Sequence, residues 1–235
     1  MANVSKLWRC LEDLRGLVAV PAGWRARLGG EFEGVRGAFL RARPGAARSF
    51  PCPDGCGCYH EVVHHDDGRI VGVCRCESWN CDDIPLRGED LVLLELNWPR
   101  LGRALAAAFG FEAKEAAFGV PGVMQIGSFG GGGLPIVLSV QHEPDEFRSA
   151  LMELAVRLRE GFVVLAPTGR WFDVRAKELL AGIRAGFFDL ESNVALVPGG
   201  RLQASKRAGE LFVRFLPERA EAADESDAKR VFELF

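Results

Sequence analysis

Residues 51–60 read Pro-Cys-Pro-Asp-Gly-Cys-Gly-Cys-Tyr-His, and residues 74–81 read Cys-Arg-Cys-Glu-Ser-Trp-Asn-Cys. Six of the seven cysteines of the chain fall in this stretch. Between the two groups runs an alternating segment with Asp67-Gly68 near its middle and β-branched residues on both sides. Asp-Gly in that setting signals a tight hairpin turn. The pattern predicts a β-hairpin with strands over 59–64 and 69–75. A turn centred near Asp67 sets Cys58 opposite Cys76 and His60 opposite Cys74. Side chains alternate between faces along a strand, so Cys58 and His60 share a face, as do Cys74 and Cys76. The loops that carry Cys52, Cys56 and Cys81 then meet at the open end of the hairpin.

Zinc prefers four thiolate or imidazole ligands, and a structural site is closed to water. A hairpin of this size has little core of its own, so an ion must supply much of its folding free energy. Gly55, Gly57, Pro51 and Pro53 suit a chain that bends around an ion. The arrangement resembles a zinc ribbon, in which two cysteine-bearing loops are pinned by one tetrahedral ion. The resemblance covers residues 51–81. The spacing departs from the usual pair of Cys-x-x-Cys loops, being Cys-x-x-x-Cys-x-Cys and Cys-x-Cys-x-x-x-x-Cys. The candidate ligands are therefore Cys52, Cys56, Cys58, Cys74, Cys76 and Cys81. Cys52, Cys58, Cys76 and Cys81 are the first choice, with Cys56, Cys74 and His60 as substitutes. Six thiolates can also hold two ions through bridging sulfurs. Three disulfides are the competing reading. Against it, residues 1–20 carry Lys6, Arg9, Glu12, Asp13 and Arg15 and show no signal peptide. A reducing cytoplasm favours metal over disulfide.

Composition bounds the rest. The 235 residues are 48% apolar, enough for a substantial core. No run of about 18 apolar residues is present, so no membrane span is expected. A net charge of −3 argues against a general nucleic-acid binder. The charge is uneven: nine Lys/Arg face four Asp/Glu in residues 1–50, and four face ten in residues 51–100. The acidic excess surrounds the cysteines and disfavours phosphate contact there. The abundance of Ala, Arg and Gly suggests a bacterial source.

Before the cysteines, Leu7, Leu11 and Leu14 predict a helix over 4–17, with Cys10 a buried small apolar residue. A second helix is expected over 24–41, and Pro44-Gly45 breaks the chain. Arg25, Arg27, Arg36, Arg41 and Arg43 offer a surface for an acidic partner or nucleic acid, or simply a solvated face.

After the cysteines, 91–96 reads as a buried strand. Asn97 caps a helix over 98–109 that stops at Gly110. Two strands flank the glycines at 127–133, which read as a hairpin tip because a strand follows them rather than Lys-Ser/Thr and a helix. Phe147, Leu151, Leu154 and Leu158 mark a helix over 143–159. A buried strand at 162–166 completes a parallel βαβ unit. Ala166-Pro167-Thr168-Gly169 resembles the opening of a helicase-type phosphate loop. It continues Arg170-Trp171-Phe172-Asp173, without the lysine and hydroxyl that hold phosphate and magnesium, so Asp173 reads as the cap of a helix to 185. A hairpin over 194–203, a last strand over 211–215 and a charged tail complete the chain.

Catalytic patterns are missing. His60-Glu61 after Pro51-Cys52 has the wrong order and spacing for a zinc deaminase. There is no His-Glu-x-x-His helix and no Gly-x-Ser-x-Gly turn. His64, His65, Asp66 and Asp67 read as solvent-facing turn residues, and His142 beside Glu143 as part of a helix start. The expected architecture is α+β: a helical segment at 1–50, a zinc-ribbon-like hairpin at 51–86, a mixed α/β domain at 87–217 with the βαβ unit, and the tail at 218–235. The expected function is that of a cytoplasmic zinc-binding protein with a structural metal, acting as a binding or assembly module on a protein partner. The alternatives are a nucleic-acid-binding regulator that uses the N-terminal arginines, and a metal-dependent enzyme.

Overall fold

Phe162-Val163-Val164-Leu165-Ala166 offers no polar face, which suits a strand covered on both sides. In a computed structural model, describing residues 5–54, 56–76, 81–131, 133–159 and 161–216, Val163–Ala166 is the second strand of a five-stranded sheet. The order across the sheet is Gly186–Asp189, Val163–Ala166, Leu134–Ser139, Val123–Phe129 and Glu112–Ala117. The first three strands are parallel and the last two pair antiparallel. Helices Pro144–Leu158 and Val174–Gly182 provide the two crossovers. The chain is thus a mixed α/β protein with several sheets.

Alternation along the strands divides the core. Ile136, Leu138, Val163 and Leu165 face one cluster, and Val137, Val164 and Ala166 face the other. Phe147, Leu151 and Leu154 of the first crossover helix and Ala176 and Leu180 of the second cover the latter face. The former face receives Leu101, Leu105 and Phe109 from helix Trp98–Phe109, together with Leu7, Trp8 and Leu11 from helix Lys6–Asp13. Trp24 and Phe32 belong to the same cluster. Burying each such large side chain contributes about 1.5–3 kcal/mol. Trp8 Nε1 donates to Val194 O and Trp24 Nε1 to Leu94 O, each at 3.0 Å, so neither indole leaves a buried donor unpaired.

Two smaller sheets lie beside this body. Val92–Leu96 runs between Val18–Ala19 and Leu40–Ala46, antiparallel to both. Ser49–Pro51, Tyr59–His64, Ile70–Cys74 and Ile84–Leu86 form an antiparallel sheet that carries the cysteines. Its apolar support is a separate cluster of Val20, Phe50, Leu86 and Leu91. A two-stranded ribbon, Val194–Val197 with Arg201–Ala204, completes the β structure.

Several expectations meet the structure directly. The helix between Asn97 and Gly110 spans Trp98–Phe109; Arg100 N donates to Asn97 Oδ1 at 3.1 Å, and Gly110 is left-handed at φ 79°. Asp173 Oδ1 accepts from Ala176 N at 2.8 Å and caps the next helix. The glycines near 130 turn an antiparallel hairpin.

Other expectations are corrected. The first helix is shorter, Lys6–Asp13, capped by Ser5, and the expected second helix is two, Pro21–Leu28 and Phe32–Phe39. Residues 40–46 are a strand, and Pro44-Gly45 sits at its bulge rather than breaking the chain. The pairing supplied by Val92–Leu96 overrides the local break. Residues 211–215 are not a strand: Leu211 ends helix Ala208–Leu211, a 3-10 turn covers Val213–Phe215, and Phe212 between them packs against Phe109, Phe111, Phe129 and Phe188. The charged stretch 218–235 lies outside the described residues.

Candidate metal centre

The hairpin puts its cysteines where the turn dictates. His65 N donates to Arg69 O at 2.9 Å and Gly68 N to His65 O at 3.0 Å, while Gly68 takes a φ of 84° that a side chain would strain. Asp67 Oδ1 accepts from Arg69 N at 3.0 Å, which fixes the turn. This sets His60 opposite Cys74 and Val63 opposite Val71. The loop after Pro51 folds back through a bond from Cys52 N to Cys58 O at 3.0 Å. Cys52, Cys56, Cys58, Cys74, Cys76 and Cys81 thereby converge at the end of the hairpin away from the turn.

The sulfurs are close. Cys58 Sγ lies 3.1 Å from Cys56 Sγ, 3.7 Å from Cys81 Sγ and 4.0 Å from Cys74 Sγ. Cys56 and Cys81 are 3.4 Å apart, and Cys74 and Cys76 3.0 Å. Zinc–sulfur bonds near 2.3 Å place the sulfurs of a tetrahedral site about 3.8 Å apart, the scale seen here. Among the described residues, two sets of donors each lie within 4.8 Å of one another: Cys58, Cys74, Cys76 and Cys81, and Cys52, Cys58, His60 and Cys81. The cluster can hold a metal ion. Cys52 and Cys76, both in the quartet favoured on sequence, fall in different sets.

Electrostatics favour a cation. Hydrogen bonding from Cys58 draws the Cys56 thiol down to about 7. The same contact pushes Cys58 up to about 12, and contacts with Cys56 and Cys58 push Cys81 up. The thiols share hydrogen bonds, so the one that accepts them ionises first and its donors are held protonated. A divalent ion reverses that balance by drawing negative charge to itself.

His60 is fully buried. Its Nδ1 lies 3.2 Å from Gly72 O, while Nε2 has no hydrogen-bond partner among the described residues. A histidine ligand characteristically donates one ring N–H to a carbonyl and offers the other nitrogen to the metal.

Residues weighed for other roles lie elsewhere. His142 Nδ1 sits 2.8 Å from Glu12 O, and Glu146 caps His142 N at 3.0 Å. Arg25 pairs with Glu33 at 3.1 Å, Arg36 with Glu33 at 3.9 Å, and Arg41 and Arg43 with Glu95 at 2.7 and 3.9 Å. Arg27 donates to Gly23 O at 2.9 Å. Much of the N-terminal positive charge is thus already matched. Thr168, in the segment like a phosphate loop, is buried, and its N–H and hydroxyl both donate to the Glu12 carboxylate, at 3.0 and 2.7 Å. No local sequence pattern signals that pair, whose members are 156 positions apart. Among the described residues, no helix is long and apolar enough to cross a membrane. Comparison with protein families, with curated proteins and with solved structures finds no match to the chain.

Proposed function

We propose that the chain is a zinc protein whose metal is structural and whose cysteine-bearing sheet serves as a binding or assembly module for a protein partner. One observation carries this reading: thiols from two loops and one strand converge, with a buried imidazole from the neighbouring strand, on a sheet whose separate apolar cluster contains, among the described residues, four buried side chains. So small a core leaves the sheet dependent on another source of stability, and metal binding supplies it. Sulfur and imidazole donors suit zinc better than calcium or magnesium, which take oxygen. The exposed ring of Tyr59, next to Cys58 in the chain, gives the metal-held sheet an amphipathic contact point.

The test is metal analysis of protein purified under reducing conditions, followed by chelation. Tightly held zinc is expected, with a coordination shell of sulfur and nitrogen and no exchangeable water. A fully folded protein free of zinc overturns the reading, and a shell containing labile water redirects it to catalysis.

A further inference from the structure

We propose that the cluster binds two zinc ions bridged by the thiolates of Cys58 and Cys81. The inference rests on the zinc reading above and specifies its stoichiometry and ligands.

The two sets of donors overlap in Cys58 and Cys81 and in nothing else. Two tetrahedra that share an edge need six donors, and the sets together supply six: Cys52, Cys58, His60, Cys74, Cys76 and Cys81. The shared edge, Cys58 Sγ to Cys81 Sγ, measures 3.7 Å, close to the roughly 3.8 Å edge of a zinc–thiolate tetrahedron. One ion then takes Cys74 and Cys76 as its terminal ligands, and the other takes Cys52 and His60.

Either single-ion arrangement strands part of this architecture. An ion held by Cys58, Cys74, Cys76 and Cys81 leaves His60 Nε2 buried without a partner among the described residues. Native structures rarely tolerate such a group. An ion held by Cys52, Cys58, His60 and Cys81 leaves Cys74, which is 3% exposed, packed against Cys76 at 3.0 Å with no metal to bind. Two ions employ every one of these donors. Each coordinating thiol gives its proton to solvent, and five thiolates then face four positive charges, a nearly balanced site. The Gly72 carbonyl engages Nδ1 of His60, which leaves Nε2 as the nitrogen offered to the second ion. Cys56 is exposed and stays outside both sets, beside the bridging sulfurs.

Native mass spectrometry of the full chain, loaded with zinc under reducing conditions, tests the stoichiometry. Two zinc ions per chain are expected, with a zinc–zinc vector in the zinc-edge X-ray absorption spectrum. Cys76→Ser and His60→Ala are each expected to retain one ion. One ion in the unaltered protein, without a zinc–zinc vector, overturns the bridged pair and leaves the zinc reading standing. No zinc at all overturns both. Two ions retained in His60→Ala remove His60 from the ligand set and overturn the assignment. The measurements on the unaltered chain decide the stoichiometry even if a variant fails to fold.

Discussion

Thr168 Oγ1 donates to Glu12 Oε2 at 2.7 Å, and Thr168 N donates to the other carboxylate oxygen at 3.0 Å. Both residues are buried. The pair ties helix Lys6–Asp13 to the loop after strand Val163–Ala166. Arg170 to Asp13 at 3.1 Å and Arg9 to Glu191 at 2.6 Å reinforce the same junction at the surface. Exposed pairs contribute little, so the buried carboxylate is the main polar tie.

Thr168→Val keeps the side-chain shape and removes the hydroxyl donor. A buried hydrogen bond to a charged group contributes about 2 kcal/mol, so unfolding free energy should fall by about that amount. Equilibrium denaturation measures it; a loss within about 0.5 kcal/mol, the range of ordinary surface changes, contradicts the assignment.

Burial raises the Glu12 pKa above its ordinary 4.5, against the opposing pull of the Thr168 hydrogen bonds. The folded state therefore holds this proton more tightly than the unfolded state. Its contribution is present below pH 4.5 and is lost as pH rises through the raised folded value. Glu12→Gln removes this titration. The stability difference, wild type minus variant, should shrink between about pH 4 and pH 7. A gap that is constant or widens with pH counts against the burial effect.

Gly102 lies in helix Trp98–Phe109, where a Cβ would stand 2.9 Å from Ile126 Cγ2 and 3.1 Å from Ile126 Cβ. Alanine gains about 1 kcal/mol in helix propensity, but overpacking costs about 1–3 kcal/mol. Gly102→Ala should therefore lose about 1 kcal/mol net. Gly37, in helix Phe32–Phe39, has nothing among the described residues within 4 Å of an added Cβ. Gly37→Ala should gain about 0.5 kcal/mol. Thermal unfolding of the two variants should shift in opposite directions; shifts of the same sign contradict the packing.

Cysteine accessibility gives a separate check. Cys10 is 3% exposed, and burial pushes its thiol up to about 12. The other six cysteines lie in the candidate metal site. Alkylation of the metal-loaded protein should modify Cys56 alone, which is exposed. After chelation all six should react, and Cys10 only on global unfolding. Fast labelling of Cys10 in the native state, or of Cys74 with metal bound, is inconsistent with this structure.

Local chemistry made part of the fold legible. Asp67-Gly68 set the hairpin register that places His60 across from Cys74. Asn97 and Gly110 bracketed a helix, and apolar strands around the helix at 144–158 marked the parallel unit. What escaped depends on distant partners. Residues 40–46 become a strand through residues 92–96. Residues 112–117 read as Glu-Ala-Lys-Glu-Ala-Ala, a helical composition, yet form a wholly exposed edge strand beside residues 123–129. Gly186–Asp189 spans only four residues and gains its identity from pairing with Val163–Ala166. For the metal centre, spacing brought out the cysteines but could not divide them into sets. His60, a substitute ligand on sequence, stands out in the structure because its Nε2 is buried and without a hydrogen-bond partner among the described residues.

Hydrogen exchange before and after zinc removal addresses the metal's structural role most directly. With zinc bound, amides of Tyr59–His64 and Ile70–Cys74 should be protected. After chelation under reducing conditions that protection should collapse, while Val163–Ala166, buried on both faces, exchanges as slowly as before. Unchanged protection of the hairpin in metal-free protein would contradict a metal that holds this sheet together.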